Sequence, residues 1–250
     1  MLYICIPAYN EADTIGVLLW RIRTVFQSYS REYEVLVYDD GSTDATAETL
    51  APYSKVLPLT VLGGAPHRGY GAALDTLARA VAARTRYPRR DAMVVMQGDF
   101  TDQPEYLPEL VKRFEGGADI VVAEYSLDSV RPPAARLLRR VAPWVTRPFV
   151  RIPGVSDPFG SYRLYRIAVV RDLLKEAEAA PVVQTSGWAA NLEFLAKAAR
   201  FARRLETVAA DPRYDLRMRP TRVRPFADLM TLYRFGWTAR GRLRPASQPQ

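Results

Sequence analysis

Short apolar runs alternate with segments of helical periodicity along the first half of this 250-residue chain. The apolar runs predict strands at Leu2–Ile6, Glu34–Tyr38, Val56–Leu62, Ala92–Met96 and Ile120–Ala123. The periodic segments predict a first helix that begins near Asp13 or Thr14, whose side chains can cap it. Further helices are predicted at Ala45–Tyr53, Gly69–Thr85 and Glu105–Phe114. Such alternation predicts an α/β fold with a doubly wound, mostly parallel sheet and flanking helices.

Polar clusters follow three of the predicted strands, at Pro7–Glu11, Asp39–Asp44 and Gln97–Asp102. In an open α/β sheet, ligands bind beyond the carboxyl ends of the strands. We therefore expect the acidic residues of the three clusters to converge on one ligand site.

The third cluster offers oxygen ligands directly after a buried strand. Asp99 supplies a carboxylate, and Gln97 and Thr101 add an amide and a hydroxyl. Mg²⁺ or Mn²⁺ is often held by one or two carboxylates together with substrate phosphates, so this loop predicts a site for a metal and a diphosphate. The alternative is that Asp99 and Asp102 only end the strand and cap the next helix.

The pair Asp39–Asp40 ends the second predicted strand, where neighbouring side chains face opposite ways. One carboxylate can therefore face a ribose hydroxyl or a base N–H while the other packs. The alternative is a turn in which both bind local backbone. Gly69 and Gly71 are a weaker indication of backbone that approaches a phosphate.

Charge is divided unequally along the chain. Residues 1–130 carry 12 Lys and Arg against 18 Asp and Glu, whereas residues 131–250 carry 23 against 9. The basic half favours a polyanionic partner: nucleic acid, an anionic membrane or substrate phosphates. No RNA- or DNA-binding motif is present, so we expect no nucleic acid partner.

The sequence contains no apolar run of the roughly 18 to 20 residues that a membrane-spanning helix needs. The first residues lack the basic flank of a signal peptide, which predicts a cytoplasmic protein. The one cysteine, Cys5, lies in an apolar run and is expected to fill the core.

Five motifs carry a resemblance to a known family. They are P-A-Y-N-E at 7–11, D-D-G-S-T-D at 39–44, G-Y-G-A-A at 69–73, Q-G-D-F-T-D-Q-P-E at 97–105 and D-P-F-G-S-Y-R-L-Y-R at 157–166. In this order and spacing the chain resembles family 2 glycosyltransferases of the GT-A fold, over about residues 1–230. Within that family it looks most like the polyprenyl-phosphate sugar transferases of the dolichol-phosphate mannosyltransferase group.

The resemblance implies roles for particular residues. The residues implied to contact the nucleotide are Pro7, Tyr9, Glu11, Tyr38 and Asp40. Those implied to hold the metal and diphosphate are Gln97, Gly98, Asp99 and Thr101. The family usually has Asp-x-Asp here, so Gln97 in place of the first Asp predicts a weaker Mg²⁺ or Mn²⁺ site.

Further catalytic residues are implied in the second half of the chain. Asp157 resembles a carboxylate near the transferred sugar that can act as a base for an alcohol acceptor, and Arg163 stands in a rearranged Ser-Gly-Phe-Arg motif. Arg217 and Arg222 resemble a basic loop that offsets charge on the leaving group. Residues 187–193 resemble the helix that closes the acceptor side, where Glu193 is either a cleft residue or a buried partner of an arginine.

Two segments mix arginines with large apolar side chains, at residues 131–151 and 225–237. This mixture suits the interface of an anionic membrane, with Arg136, Arg139, Arg140 and Trp144 as contacts. The alternative is a core helix whose arginines extend to solvent.

The resemblance implies one GT-A domain over residues 1–240, with a nucleotide-sugar half at 1–125 and an acceptor half at 126–240. The composition of residues 241–250 predicts a flexible tail. It implies inverting transfer of a sugar from a nucleotide donor, GDP-mannose or a UDP-sugar, to polyprenyl or dolichyl phosphate. The expected place is the cytoplasmic membrane face, where the protein is peripheral, and a small membrane-anchoring subunit is a further expected partner. The alternatives are a transferase that uses a soluble or glycan acceptor, and a weakly active nucleotide-sugar-binding protein.

Overall fold

A computed structural model describes residues 1–126, 133–214 and 222–240. Within these ranges one seven-stranded sheet has the strand order β3-β2-β1-β4-β6-β5-β7. The strands are β1 (Leu2–Ala8), β2 (Tyr33–Asp39), β3 (Leu59–Gly63), β4 (Ala92–Val95), β5 (Ile120–Tyr125), β6 (Arg163–Arg166) and β7 (Leu205–Ala210). The predicted tail at 241–250 lies outside the described residues.

Helices cover both faces of the sheet. They are α1 (Ala12–Ser28), α2 (Thr46–Leu50), α3 (Tyr70–Arg84), α4 (Leu107–Glu115), α5 (Pro133–Thr146), α6 (Ile167–Ala177), α7 (Gly187–Ala199) and α8 (Pro225–Ala239). In β1, Ile4 faces a core that includes α1 and α4, whereas Cys5 faces a core that includes α3, α6 and α7. A third core joins α5, α7 and α8 through Leu138, Leu192 and Leu232. Among the described helices, none combines the length and apolar character needed to cross a bilayer.

The sheet is mostly parallel, as predicted, and β6 is the antiparallel strand among those described. It lies between β4 and β5 and runs against both. Strands β1 and β2 are in parallel register, with Ala8 opposite Asp39, so both end at the same edge. The polar clusters that follow them are consequently brought together.

Several predicted boundaries are corrected by the structure. Helix α1 begins at Ala12 without a side-chain cap from Asp13 or Thr14; instead the Ala12 N–H donates to Asp44 Oδ2 at 3.2 Å. Helix α2 ends at Leu50 before a short 3₁₀ turn, because Pro52 cannot donate an intrahelical hydrogen bond. Strand β3 begins at Leu59, after Pro58, because proline has no N–H to donate to a neighbouring strand.

Candidate active site

A cavity of about 400 Å³ opens at the carboxyl edge of the sheet. Seven predicted site residues line it: Pro7, Tyr9, Glu11, Asp40, Gln97, Gly98 and Arg222. We call the residues that follow β1, β2 and β4 the strand edge of the cavity. The opposite side, which we call the helical wall, comes from α5, α7 and the start of α8, with Arg139, Trp188, Asn191 and Asp228.

Asp40 faces the cavity and organises the loop that precedes α3. Its two carboxylate oxygens accept hydrogen bonds from Arg68 N at 2.7 Å and Gly69 N at 2.8 Å. Its neighbour Asp39 accepts from Ser42 N at 3.0 Å. Asp40 thus lines the cavity with both carboxylate oxygens bonded to backbone N–H groups, and Asp39 lies in a local turn.

An aromatic and basic group covers the end of β1. The rings of Tyr9 and His67 lie 4.1 Å apart, tilted by 32°, and the Arg222 guanidinium lies 5.2 Å from the Tyr9 ring. Arg222 also donates to the Tyr9 carbonyl at 2.6 Å and lies 3.7 Å from Glu11 Oε1. Flat rings of this kind suit stacking against a nucleobase. His67 was not predicted; the available signal was its position as the chain's only histidine, in the glycine-rich turn after β3.

Asp102 is the centre of a buried polar network beside the cavity. Its carboxylate accepts from the Tyr125 hydroxyl, from Gln97 N at 2.8 Å and from Ser161 Oγ at 3.0 Å. Burial raises the pKa of Asp102 to about 6, against the effect of these donors and together with the nearby charge of Asp99. Burial also raises the pKa of Tyr125 well above its usual value, so this hydroxyl keeps its proton. Asp102 thus ties the end of β4 to β5 and does not cap the helix after Pro104.

Some of the predicted metal ligands line the cavity, and others are buried beneath its lining. Asp99 is 0% exposed and accepts from Thr101 N at 3.1 Å, while Gln97 and Gly98 line the cavity itself. Among the described residues, the buried Thr101 Oγ1 has no hydrogen-bond partner. No group of three or more His, Cys, Asp or Glu suited to a metal occurs in the described part of the chain. A carboxylate, an amide and a hydroxyl nevertheless fit a hard divalent cation that takes its other ligands from a diphosphate.

Arg139 is a residue of the helical wall that sequence reasoning assigned to the membrane surface. The structure corrects this, because Arg139 is only 6% exposed and forms an ion pair with Asp157. Its guanidinium lies 5.1 Å from the Tyr125 ring and 5.0 Å from the Trp188 ring. The carboxylate expected to serve as a base is therefore paired with an arginine that lines the cavity.

Two predicted site residues lie away from the cavity. Arg163 is buried in β6 and donates to the carbonyls of Pro158 and Asn191, so it joins the loop before β6 to α7. Tyr38 packs in the core between the sheet and α3. Arg217 lies outside the described residues.

The N-terminal part of α7 contributes to the helical wall. Asn191 accepts from the Tyr70 hydroxyl at 2.7 Å and donates to the Phe159 carbonyl at 3.0 Å. Gly71 permits this approach of α3, since a Cβ there would lie 2.4 Å from the Thr185 carbonyl oxygen. Glu193 is buried, and its charged partner is a lysine and not an arginine: Lys197 Nζ lies 2.6 Å from Glu193 Oε1.

The doubly wound sheet with a cavity at its carboxyl edge is the arrangement that the resemblance to GT-A glycosyltransferases implies. The family model described as "Glycosyl transferase family 2" matches residues 3–174, and the chain belongs to that family. The resemblance stated from the motifs is thereby confirmed.

Two curated relatives carry the same name, undecaprenyl-phosphate 4-deoxy-4-formamido-L-arabinose transferase. The protein from Klebsiella pneumoniae (strain 342) is 30% identical over 141 residues, 55% of this chain and 42% of its own length. The protein from Edwardsiella ictaluri (strain 93-146) is 29% identical over 174 residues, 68% of this chain and 50% of its own length. The chain thus spans about half the length of these relatives.

A solved structure confirms the fold. Glucosyl-3-phosphoglycerate synthase from Mycobacterium tuberculosis, in complex with Mn²⁺, uridine diphosphate and phosphoglyceric acid, superposes with a TM-score of 0.61 at 22% identity. The match covers 94% of this chain and 75% of that one.

Proposed function

We propose that this protein transfers a sugar, with inversion, from a nucleotide-diphosphate donor to a polyprenyl phosphate at the cytoplasmic face of a membrane. The observation that carries the proposal is the pairing of two unlike cavity sides. The strand edge presents Asp40, Tyr9 and Gln97, which suit a nucleotide and its diphosphate, and the helical wall presents a buried arginine, Arg139. The names of the two curated relatives support an undecaprenyl-phosphate acceptor.

The donor would lie along the strand edge. Tyr9 and His67 suit contact with a base, and the carboxylate of Asp40 suits a ribose hydroxyl or base N–H. Arg222, at the mouth, and Arg217, as the resemblance implies, would offset negative charge on the departing diphosphate.

The acceptor would enter from the helical wall. One of its phosphate oxygens attacks the anomeric carbon, and the bond from that carbon to the donor diphosphate breaks, so the electron pair leaves with the nucleoside diphosphate. Because the phosphate oxygen attacks on the side opposite the departing diphosphate, the configuration at the anomeric carbon is inverted. Phosphate is already ionised at neutral pH and needs no base, which agrees with the pairing of Asp157 to Arg139.

Gln97, Asp99 and Thr101 would hold Mg²⁺ or Mn²⁺. A bound cation of this kind neutralises charge on the donor diphosphate. The oxygen atoms of these residues lie at the end of β4, close to the part of the strand edge where the phosphates of the nucleotide sugar would bind.

The outer sides of α5 and α8 support membrane contact. They carry exposed large apolar residues, among which Trp144 is 81% exposed and Phe226 79% exposed. We call this surface the outer face; its apolar residues are Leu137, Trp144, Phe226, Met230, Tyr233 and Trp237. Because α5 and α8 also form the helical wall, a lipid phosphate held at this face would lie near the cavity.

Charge on the outer face suits an anionic bilayer. Residues 133–156 contain no Asp or Glu, and residues 222–240 contain only Asp228. The exposed arginines of these segments include Arg136, Arg140, Arg147, Arg151 and Arg234. Each basic residue near an anionic surface contributes about 1 kcal/mol, so several together hold a peripheral protein. An anchoring subunit remains a prediction.

The proposal is tested by transfer assays with a panel of radiolabelled nucleotide sugars and undecaprenyl phosphate in mixed vesicles. We expect one donor to give label that extracts into organic solvent, with release of the nucleoside diphosphate. Asp99→Asn is the negative control. Label that appears only in water-soluble products would favour the soluble-acceptor alternative, and nucleotide binding without any transfer would favour a binding protein.

A further inference from the structure

The side-chain amide of Gln97 is held by a buried hydroxyl. Gln97 Nε2 donates to Ser161 Oγ at 2.8 Å, and Ser161 Oγ donates to Asp102 Oδ2 at 3.0 Å. Ser161 and Asp102 are both buried. The three residues therefore form a chain of hydrogen bonds from the cavity lining into the protein interior.

The protons available in this chain fix the orientation of the amide. A serine hydroxyl has one proton to donate. The Ser161 hydroxyl donates that proton to Asp102 Oδ2 at 3.0 Å. Ser161 Oγ can then only accept a hydrogen bond from the Gln97 side chain, so Gln97 must face Ser161 with its amide nitrogen.

The amide oxygen of Gln97 consequently points away from Ser161. Gln97 lines the cavity, and within the described ranges Gln97 Oε1 accepts no hydrogen bond. A reversed amide would present two N–H donors to the cavity, where a cation would find no lone pair.

We propose that Ser161 is a positioning residue that orients Gln97, so that the amide oxygen stands as a cation ligand at the position where the resemblance implies an Asp carboxylate. This inference rests on the proposed function, because it assigns a role in binding the cation of the donor diphosphate. It also explains why an amide stands at position 97. A glutamate would place a carboxylate oxygen against Ser161, whose proton is committed to Asp102, and two carboxylates would share one hydroxyl proton.

The experiment measures Mn²⁺ binding by electron paramagnetic resonance of the full chain, with UDP or GDP present. We expect Ser161→Ala to weaken Mn²⁺ binding about tenfold, as loss of a group that orients a metal ligand generally does. Gln97→Met, which removes the amide oxygen and leaves Ser161 bonded to Asp102, should weaken binding at least as much. In the double variant the serine change should add nothing. Ser156→Ala, an exposed serine bonded to Glu124, is the matched control.

Additive effects of the two changes, wild-type affinity in Ser161→Ala, or no Mn²⁺ binding by the wild type would each overturn the inference. If Ser161→Ala does not fold, Gln97→Glu decides: weaker Mn²⁺ binding supports the proposed orientation, and tighter binding refutes it. Nucleotide binding in EDTA is measured separately. If the Mn²⁺ measurements contradict the inference but the wild type still binds nucleotide, the proposed function stands. If the wild type does not bind nucleotide, both the inference and the proposed function are wrong.

Discussion

The strand edge and the helical wall form one cavity by different means. At the strand edge, short polar clusters follow directly from parallel strands, so the sheet brings them together. At the helical wall, each residue depends on packing between elements distant in sequence, as when Arg139 of α5 meets Asp157 before β6. The difference teaches that the polar clusters of the strand edge can be located from local sequence, whereas the helical wall depends on how α5, α7 and α8 pack.

The largest effect is expected at the strand edge. Asp99→Asn removes the one predicted carboxylate ligand with little change in volume, and should lower the transfer rate about 100- to 1000-fold. Initial-rate assays at saturating donor give the measurement. The matched control is Asp172→Asn, an exposed aspartate of α6 paired with Lys175. Near wild-type turnover in Asp99→Asn would show that the metal assignment is wrong.

The next effect is expected in the helical wall and concerns stability. Asp157→Asn leaves the buried Arg139 without its carboxylate, which should lower the free energy of unfolding by about 3 kcal/mol. Chemical denaturation measures this loss, and Arg139→Met together with Asp157→Asn should recover part of it. A catalytic base would behave differently: the rate would fall while the stability stayed the same.

The proposed membrane contact of the outer face is tested by removing positive charge from it. Changing Arg136, Arg140 and Arg147 together to Gln should weaken binding to anionic vesicles by about 3 kcal/mol, roughly 100-fold, at low salt. Salt should weaken wild-type binding too, because the attraction is screened within about 8 to 10 Å at physiological ionic strength.

Co-sedimentation at low and high salt provides the measurement for the outer face. The control changes the same net charge elsewhere, with Arg86, Arg89 and Arg90 replaced by Gln. Equal binding by both triple variants would mean that the outer face has no special role.

The smallest effect is expected at Asp40. Asp40→Asn should raise the KM for the donor about tenfold and leave kcat nearly unchanged, because this contact is made alike in the ground and transition states. Steady-state kinetics measure both constants. Asp39→Asn, the neighbour that bonds Ser42, should change neither. A large fall in kcat at constant KM would place Asp40 in the chemical step.

The sequence predicted the strand edge better than the helical wall for physical reasons. Apolar runs and their polar ends identify β1, β2 and β4, whereas β6 is four residues long and contains two arginines, so no apolar run marks it. Arg139 resembles its exposed neighbours in sequence, and its burial depends on residues distant in the chain: Asp157, Tyr125 and Trp188. His67 becomes a site residue through its contact with Tyr9, which no local pattern reveals.

The most direct test of the acceptor assignment is a competition between two acceptors in one reaction. Vesicles that contain undecaprenyl phosphate and an equal concentration of soluble 3-phosphoglycerate are mixed with the protein and the labelled donor found in the panel. We expect the label to enter the organic phase, and the triple change of Arg136, Arg140 and Arg147 to reduce that fraction. Label that remains in the aqueous phase as a glycosylated phosphoglycerate would contradict a lipid-phosphate acceptor.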